Sequence, residues 1–371
     1  MRTPGVSQLG VVVLLVVFVA APASAQEPEW AREFGERIGR TAAAIADTVV
    51  AEVAAAMEEA EQQRGRPPRG RAEREDRDVL TEEFAQSYNV GRNGRLRVET
   101  LYGNITIERG GGDAVQVRAV KRVRNVSEAE ARRIMPGIAV VVVARGSFVD
   151  VRTENRSRGN WQGQVDYTIS VPPSTQLVLE SRSGNISITG VEGEIRAETF
   201  SGNVTATDVK RARELKSLSG NVTIADSEGE DFSGETHSGN VIARNLKGGM
   251  VALHTTSGNV RVTDIEAARA SLETLSGTLE YLGRFARGGR YDMKSHSGNI
   301  RVVPAEAGPF QVEANTFSGN VRSDYPVMLT SFGPGRRNFN PPPSQAEAPL
   351  DGNSTVLSLR SFSGNILITK R

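Results

Sequence analysis

Three histidines, a recurring row of acids and a repeated Ser-Gly-Asn tripeptide are the residues whose types and spacing could do chemistry in this sequence. His237, His254 and His296 are the candidates for metal ligation or acid–base work, because imidazole titrates near neutral pH without perturbation. His237 and His296 occupy the same slot, two residues before a repeated glycine, but lie three motifs apart. At about 4.8 Å per stacked strand that is roughly 14 Å, too far to share a metal held at about 2 Å. No metal or cofactor site is predicted, and the histidines are expected at the surface. Glu99, Glu180, Glu198, Glu235 and Glu273 recur four residues before the glycine, interrupted by Lys216, Lys294 and Arg360, with His254 and Asn315. A glycosidase needs two carboxyl groups about 5 to 9 Å apart, and neighbouring strands could reach that spacing by accident. A mixed-charge solvated face that keeps stacked strands soluble is the simpler reading. No catalytic residue is predicted. A polysaccharide-acting β-helix enzyme stands as the alternative from another class. The tripeptide itself could grip a polysaccharide with rows of hydroxyls and amides. Every copy, however, keeps an aliphatic residue two places on, which only packing requires.

The elements that must position these rows are set by the repeat. The motif centres on Gly103, Gly184, Gly202, Gly220, Gly239, Gly258, Gly277, Gly298, Gly319 and Gly364, with spacings of 18 to 21 residues between Gly184 and Gly319. Nine of the ten copies carry Asn after the glycine, the exception being Thr278, and nine carry Ser before it, the exception being Tyr102. Before the glycine the apolar positions fall at odd offsets, such as Leu179, Leu215 and Leu253; after it they fall at even offsets, such as Ile186, Val204 and Val222. A Thr or Ser stands three before it in every copy. A continuous strand cannot change phase in this way, because a slip of one residue turns the apolar set outward. A corner can, and Gly, with Asn to a lesser degree, tolerates the positive φ that corners use. The predicted structural corners are Gly184-Asn185, Gly202-Asn203, Gly220-Asn221, Gly239-Asn240, Gly258-Asn259, Gly298-Asn299, Gly319-Asn320 and Gly364-Asn365. Stacked Asn side chains are expected to hydrogen-bond from coil to coil. A second corner is expected near Val191, Val209, Leu246 and Ile265. The fold class predicted is all-β: a single-chain, β-helix-like β-solenoid of short coils of 18 to 21 residues, preceded by one N-terminal α-helix. Ten motifs stacked in chain order would make a rod on the order of 50 Å long.

Composition agrees with many tight corners around a thin aliphatic core, since glycine is abundant (38) and aromatic residues make up only 5%. Residues 1–25 read as a signal peptide: Arg2, an apolar run from Val11 to Ala21, and the cleavage site Ala23-Ser24-Ala25. Export to the periplasm or the cell exterior is therefore expected, with no transmembrane span in the mature chain. Without Arg2, the 45 Lys and Arg fall to 44, matching 44 Asp and Glu. A zero balance argues against nucleic acid as a partner. There is no cysteine, so neither disulfides nor a lipidated cysteine contribute. Residues 26–63 are expected to hold an amphipathic helix with Trp30, Phe34, Ile38, Ala42, Ile45, Val49 and Val53 at spacings of three or four, and 64–80 a charged flexible linker. The β domain is then 81–371, with irregular strands and a short helix in 108–178, regular coils in 179–323, a Pro-rich loop at 332–349 and a final coil at 354–371.

One outward row is less expected. Leu101, Phe200, Leu218, Leu275, Phe317 and Phe362 all lie two before the glycine. Apolar residues in register on an exterior mark a covered surface or a binding strip. Coverage by the N-terminal helix or the 104–180 segment is the preferred expectation; a partner or glycan strip is the other. The helix is expected to dock or to self-associate, its polar face carrying both signs (Glu33, Arg37, Arg40, Asp47, Glu52) and so adsorbing weakly to anionic lipid.

The series YGNITI, RSGNISI, FSGNVTA, LSGNVTI and FSGNILI, preceded by a strand ending in VPPS, resembles a bacterial envelope family whose members carry the label putative adhesin. The resemblance covers roughly residues 85 to 371. It implies repeated β-coils after an export signal, an envelope location and no catalytic residues to carry over. The function expected is a non-catalytic, exported structural or binding protein of the cell envelope. Its partner would be an envelope protein, a glycan or, through the helix, a second copy. Some relatives sit beside envelope-stress signalling systems, so a regulatory or sensing component is the alternative.

Overall fold

The computed structural model describes residues 78–156, 163–305, 310–325, 328–329 and 354–370. The expected signal peptide, the amphipathic helix, most of the linker and the Pro-rich loop at 332–349 lie outside the described residues. Period-two burial runs through nearly every strand, as in Arg290–Ser297, where Tyr291, Met293 and Ser295 are buried and the residues between them are not. One face of each strand therefore turns to a single apolar interior, which is lined by Val, Ile and Leu from end to end. The strands before and after each Gly-Asn corner form two parallel columns, each strand in register with its counterpart one motif away; thus Thr199 pairs with Ser217 and Val204 with Val222. We call one strand–corner–strand unit a rung.

The predicted solenoid is corrected by this topology. The fold is mostly β, but all 24 described strands join one hydrogen-bonded sheet that curls around the interior into a nearly closed barrel, not an open solenoid of short repeating coils. Nor do the rungs follow chain order at the ends. The strands Phe148–Asn155 and Gly163–Val171 lie beneath the rung of Gly103, pairing with Arg95–Tyr102 and Ile105–Arg109. The last segment, Thr355–Ser363 and Ile366–Ile368, lies between the rungs of Gly298 and Gly319. At the N-terminal end the sheet turns antiparallel. Ala114–Arg124 pairs with Gly163–Val171 and with Asp78–Asn89, and Ile138–Arg145 pairs with Phe148–Asn155. The one described α-helix, Glu128–Ile134, is begun by Ser127, whose side chain accepts from the Glu130 N–H. A repeat spacing reports the period of a rung; it says nothing of which rung lies on which, and here chain order is broken twice.

The corner explains why three of its residue types recur. Gly202 has φ +150°, and a Cβ there would stand 2.2 Å from the Gly184 carbonyl oxygen; only glycine lets successive corners stack backbone on backbone. The carbonyl so placed accepts a hydrogen bond from the inward hydroxyl of the next rung, Thr199 to Gly184 at 3.0 Å, Ser217 to Gly202 at 2.8 Å and Thr236 to Gly220 at 2.8 Å. That is the work of the Thr or Ser three before the glycine in seven of the ten copies, since a buried carbonyl is best paired; the Ser181 and Ser295 hydroxyls make no such bond. The Asn side chain does the complementary job. Its Oδ1 accepts the backbone N–H of the next Asn, Asn185 from Asn203 at 2.8 Å, Asn203 from Asn221 at 2.8 Å and Asn221 from Asn240 at 2.8 Å. Asp166 serves the first corner, accepting from the Asn104 N–H at 2.8 Å. A second column of corners uses left-handed Asp208, Asp226, Asn245 and Asp264, with φ between 50° and 55°, where short polar side chains tolerate that conformation best.

Near the C-terminal end the interior is closed by rings. Tyr281 stacks on Phe285 at 5.0 Å, and Phe285 meets Tyr291 and Phe310 edge-on at 4.8 and 5.6 Å. The Tyr291 hydroxyl donates to the Ala267 carbonyl at 2.8 Å. Burial pushes the Tyr281 and Tyr291 phenols above their usual range. At the other end burial pushes Tyr167 up to about 12, against its hydrogen bond with Thr153, which works to lower it.

Two outcomes follow. Gly220→Ala, whose Cβ would sit 2.0 Å from the Gly202 carbonyl oxygen, should cost more than about 3 kcal/mol by chemical denaturation, as strain and clash combine. Because these phenols ionise later in the folded than in the unfolded chain, their contribution to stability is full below pH 10, the ordinary phenol value, and is lost as pH rises through the folded values. Denaturation midpoints measured between pH 8 and 12 should hold level up to about 10 and fall above it.

Candidate functional face

Parallel rungs in register place equal motif offsets in straight outer rows. In stacking order, the row two before the glycine runs Leu101, Arg182, Phe200, Leu218, His237, Thr256, Leu275, His296, Phe362 and Phe317. Apart from Arg182, which is exposed, every member is half-buried. The six apolar residues singled out by spacing do not form one unbroken strip. Leu101 is separated from Phe200 by Arg182; Phe200 and Leu218 are neighbours; His237 and Thr256 then intervene. Leu275, His296, Phe362 and Phe317 form the continuous part. The 104–180 segment does not lie over the row: its strands build the first rungs and the antiparallel end. The 26–63 segment, the other expected cover, lies outside the described residues.

The continuous part is a ring ladder. His296 and Phe362 stack at 4.8 Å between centroids and 1° between planes, Phe362 and Phe317 at 4.9 Å and 3°. Phe362 thus has a ring on each side and offers its edge outward. A sugar that must lie flat on an aromatic face finds that face taken; an aliphatic or edge-contacting partner does not. His296 belongs to this ladder, which spacing alone did not reveal, because chain order puts Phe317, not Phe362, next to it.

The row four before the glycine is the charged neighbour of the strip. Arg97 reaches Glu180 at 3.2 Å, while Glu180 and Glu198 stand opposite one another as like charges. Half-burial works to lower Lys216, yet hydrogen bonding and attraction from Glu214, with Glu235 and Glu198, hold it above its ordinary value. Glu273 departs from the expected solvated row, being 5% exposed, with Lys294 Nζ at 3.3 Å and His254 Nδ1 at 3.8 Å. This is a paired charge in a wall. Among the described residues no group of three or more His, Cys, Asp or Glu could hold a metal ion. Most of the corner asparagines and inward hydroxyls are spent on backbone groups, so this polar part of the repeat is structural. No described helix is long and apolar enough to cross a membrane.

A family model described as Toastrack DUF4097 matches residues 94–333. No curated protein matches the sequence. Solved structures that resemble it do so distantly. A putative adhesin from Bacteroides fragilis NCTC 9343 is 11% identical, with 78% of this chain and 97% of that one covered and a TM-score of 0.34. A putative lipid binding protein from Parabacteroides distasonis ATCC 8503 is 12% identical, with 77% and 96% covered and a TM-score of 0.39. A putative cell adhesion protein from Clostridium sporogenes ATCC 15579 is 10% identical, with 79% and 100% covered and a TM-score of 0.19.

The ladder predicts unequal costs within one row. Phe362→Ala, which removes a ring sandwiched between two others, should cost about 2 kcal/mol from lost burial and two ring contacts. Phe200→Ala, between Arg182 and Leu218, should cost about 1 kcal/mol. Urea denaturation of the two variants measures the difference.

Proposed function

The chain belongs to the Toastrack DUF4097 family, and from that premise we propose that it is an exported, non-catalytic protein of the bacterial cell envelope that binds an apolar partner surface along the Leu275–His296–Phe362–Phe317 strip. The observation that carries this reading is the strip itself: four half-buried side chains in register on an outer face, with no described element across them. Apolar residues so aligned on an exterior usually serve contact. The ring edges favour a protein or peptide of the envelope with an apolar stripe over a stacked sugar. The half-buried cations of the neighbouring row, Lys294 and Arg360, supply the polar rim that orients such a partner. The signal-peptide pattern of residues 1–25 supports export.

Photo-crosslinking in intact cells tests this. A photoreactive residue in place of Phe362 should give discrete adducts with envelope proteins, and the same residue in place of exposed Arg261, on the other strand column, should not. Phe317→Ser should abolish the adducts while lowering stability by no more than about 2 kcal/mol. Equal labelling at both positions would sink the proposal. Retention on a glycan array that is lost in Phe317→Ser would replace the protein partner by a sugar.

A further inference from the structure

Chain order and stacking order part company in the last three rungs. The rung Arg290–Ser297 and Ile300–Pro304 is followed in sequence by Phe310–Ser318 and Val321–Ser323. Their glycines are 21 residues apart, the same spacing as between Gly277 and Gly298. Yet what lies on the Gly298 rung is Thr355–Ser363 and Ile366–Ile368, the last segment of the chain. We infer that this terminal segment is an exchangeable rung, and that the slot it fills accepts the identical segment of a second copy of this chain, so that two chains trade their last rungs.

The slot is built on both sides. Below, the Gly298 N–H donates to the Ser363 carbonyl at 3.1 Å, the Asn365 N–H to Asn299 Oδ1 at 2.9 Å and the Ser361 hydroxyl to the Gly298 carbonyl at 3.2 Å. Above, the Gly364 N–H donates to the Ser318 carbonyl at 3.1 Å, the Asn320 N–H to Asn365 Oδ1 at 3.0 Å and the Thr316 hydroxyl to the Gly364 carbonyl at 3.0 Å. Phe362 enters between the rings of His296 and Phe317. A Cβ at Gly364 would stand 2.1 Å from the Gly298 carbonyl oxygen. A strand that meets the glycine, amide, hydroxyl and ring requirements together is this chain's own motif, which makes a second copy the occupant.

The open form of such an exchange has a resting place. Register runs straight through the slot: Met293 faces Leu359, which faces Ala314, and Ile300 faces Ile366, which faces Val321. With the terminal segment withdrawn, the Gly319 rung can settle directly on the Gly298 rung in the same phase, His296 against Phe317 and Asn299 against Asn320. The five residues 305–309 that join them, at about 3.3 Å each, reach across one rung or two. The chain between Leu329 and Thr355 has 25 residues, at most about 80 to 90 Å when extended. That exceeds the roughly 50 Å of ten rungs, so the segment can reach a neighbour. Identical contacts in either molecule make exchange a low-cost route to dimers.

The absence of cysteine makes the test clean. Ser297 and Ser363 are exposed register partners, and so are Ser238 and Ser257 on interior rungs. Full-length Ser297→Cys and Ser363→Cys proteins are mixed at high concentration under reducing conditions, then oxidised. A disulfide-linked heterodimer should form, its fraction about doubling with each doubling of concentration while it is small. The Ser238→Cys and Ser257→Cys mixture is the control for random collision. A Ser297/Ser363 yield no higher than this control overturns the proposal. The double variant in one chain should close an intrachain disulfide and abolish exchange; failure of that bond to form would overturn the placement on which the proposal stands.

Discussion

The constraint on which the structure depends is the fate of one carbonyl and one amide at each glycine corner. A strand that bends there turns the glycine carbonyl inward and lifts the following N–H off the ladder, and leaving either unpaired in a packed wall is costly. At most corners the two neighbouring rungs satisfy them: a Thr or Ser hydroxyl of the next rung donates to the carbonyl, and the amide N–H finds the Asn oxygen of the rung before. Because the partners always come from a neighbour, no rung is complete alone. Stability therefore belongs to the stack, and the two ends need special provision. Asp166 stands in for a missing Asn at one end; the antiparallel strands and the ring cluster around Phe285 close the interior.

The same constraint decides where function can reside. Residues that look chemically rich in the sequence, the corner asparagines and most of the threonines and serines three before the glycine, are occupied by backbone groups. What remains for a partner is the outer rows: the half-buried apolar row with its ring ladder and the charged row beside it. Stacking also fixes how those rings are offered. Neighbours 4.8 and 4.9 Å away cover the faces of Phe362, so contact is through ring edges and the aliphatic Leu275. The ladder exists because the terminal segment is threaded between two earlier rungs, and face and topology are thus one fact.

Much of the local structure was legible in the sequence. The phase change at each glycine marks a corner, and alternation marks strands with one buried face; Leu179, Ile186, Val204 and Leu215 are all in the core. The global arrangement was not. Every copy of the motif presents the same register to its neighbours, so Gly364 fits above Gly298 as well as Gly319 would, and the residues themselves cannot say which is chosen. The closing of one sheet into a nearly closed barrel is likewise a property of how all strands pair, not of any one repeat. The role of the hydroxyl three before the glycine was visible as a constant but needs the corner carbonyl to explain it. Burial of Glu273 carried no signal at all: its offset is shared with solvated acids, and only the Lys294 and His254 rungs beside it make the difference.

The column of corner amides gives the most direct test, because the motif contains its own exception. Asn203, Asn221, Asn240 and Asn259 each donate their backbone N–H to the Asn oxygen of the preceding rung, whereas Asn299 follows Thr278, which has no amide oxygen to offer. Native-state hydrogen exchange followed residue by residue should show the first four corner amides protected like interior strand amides, although they lie at the surface, and the Asn299 amide exchanging much faster. Rapid exchange of all five, or equal protection of Asn299, would contradict the claim that the side-chain column holds the rungs together.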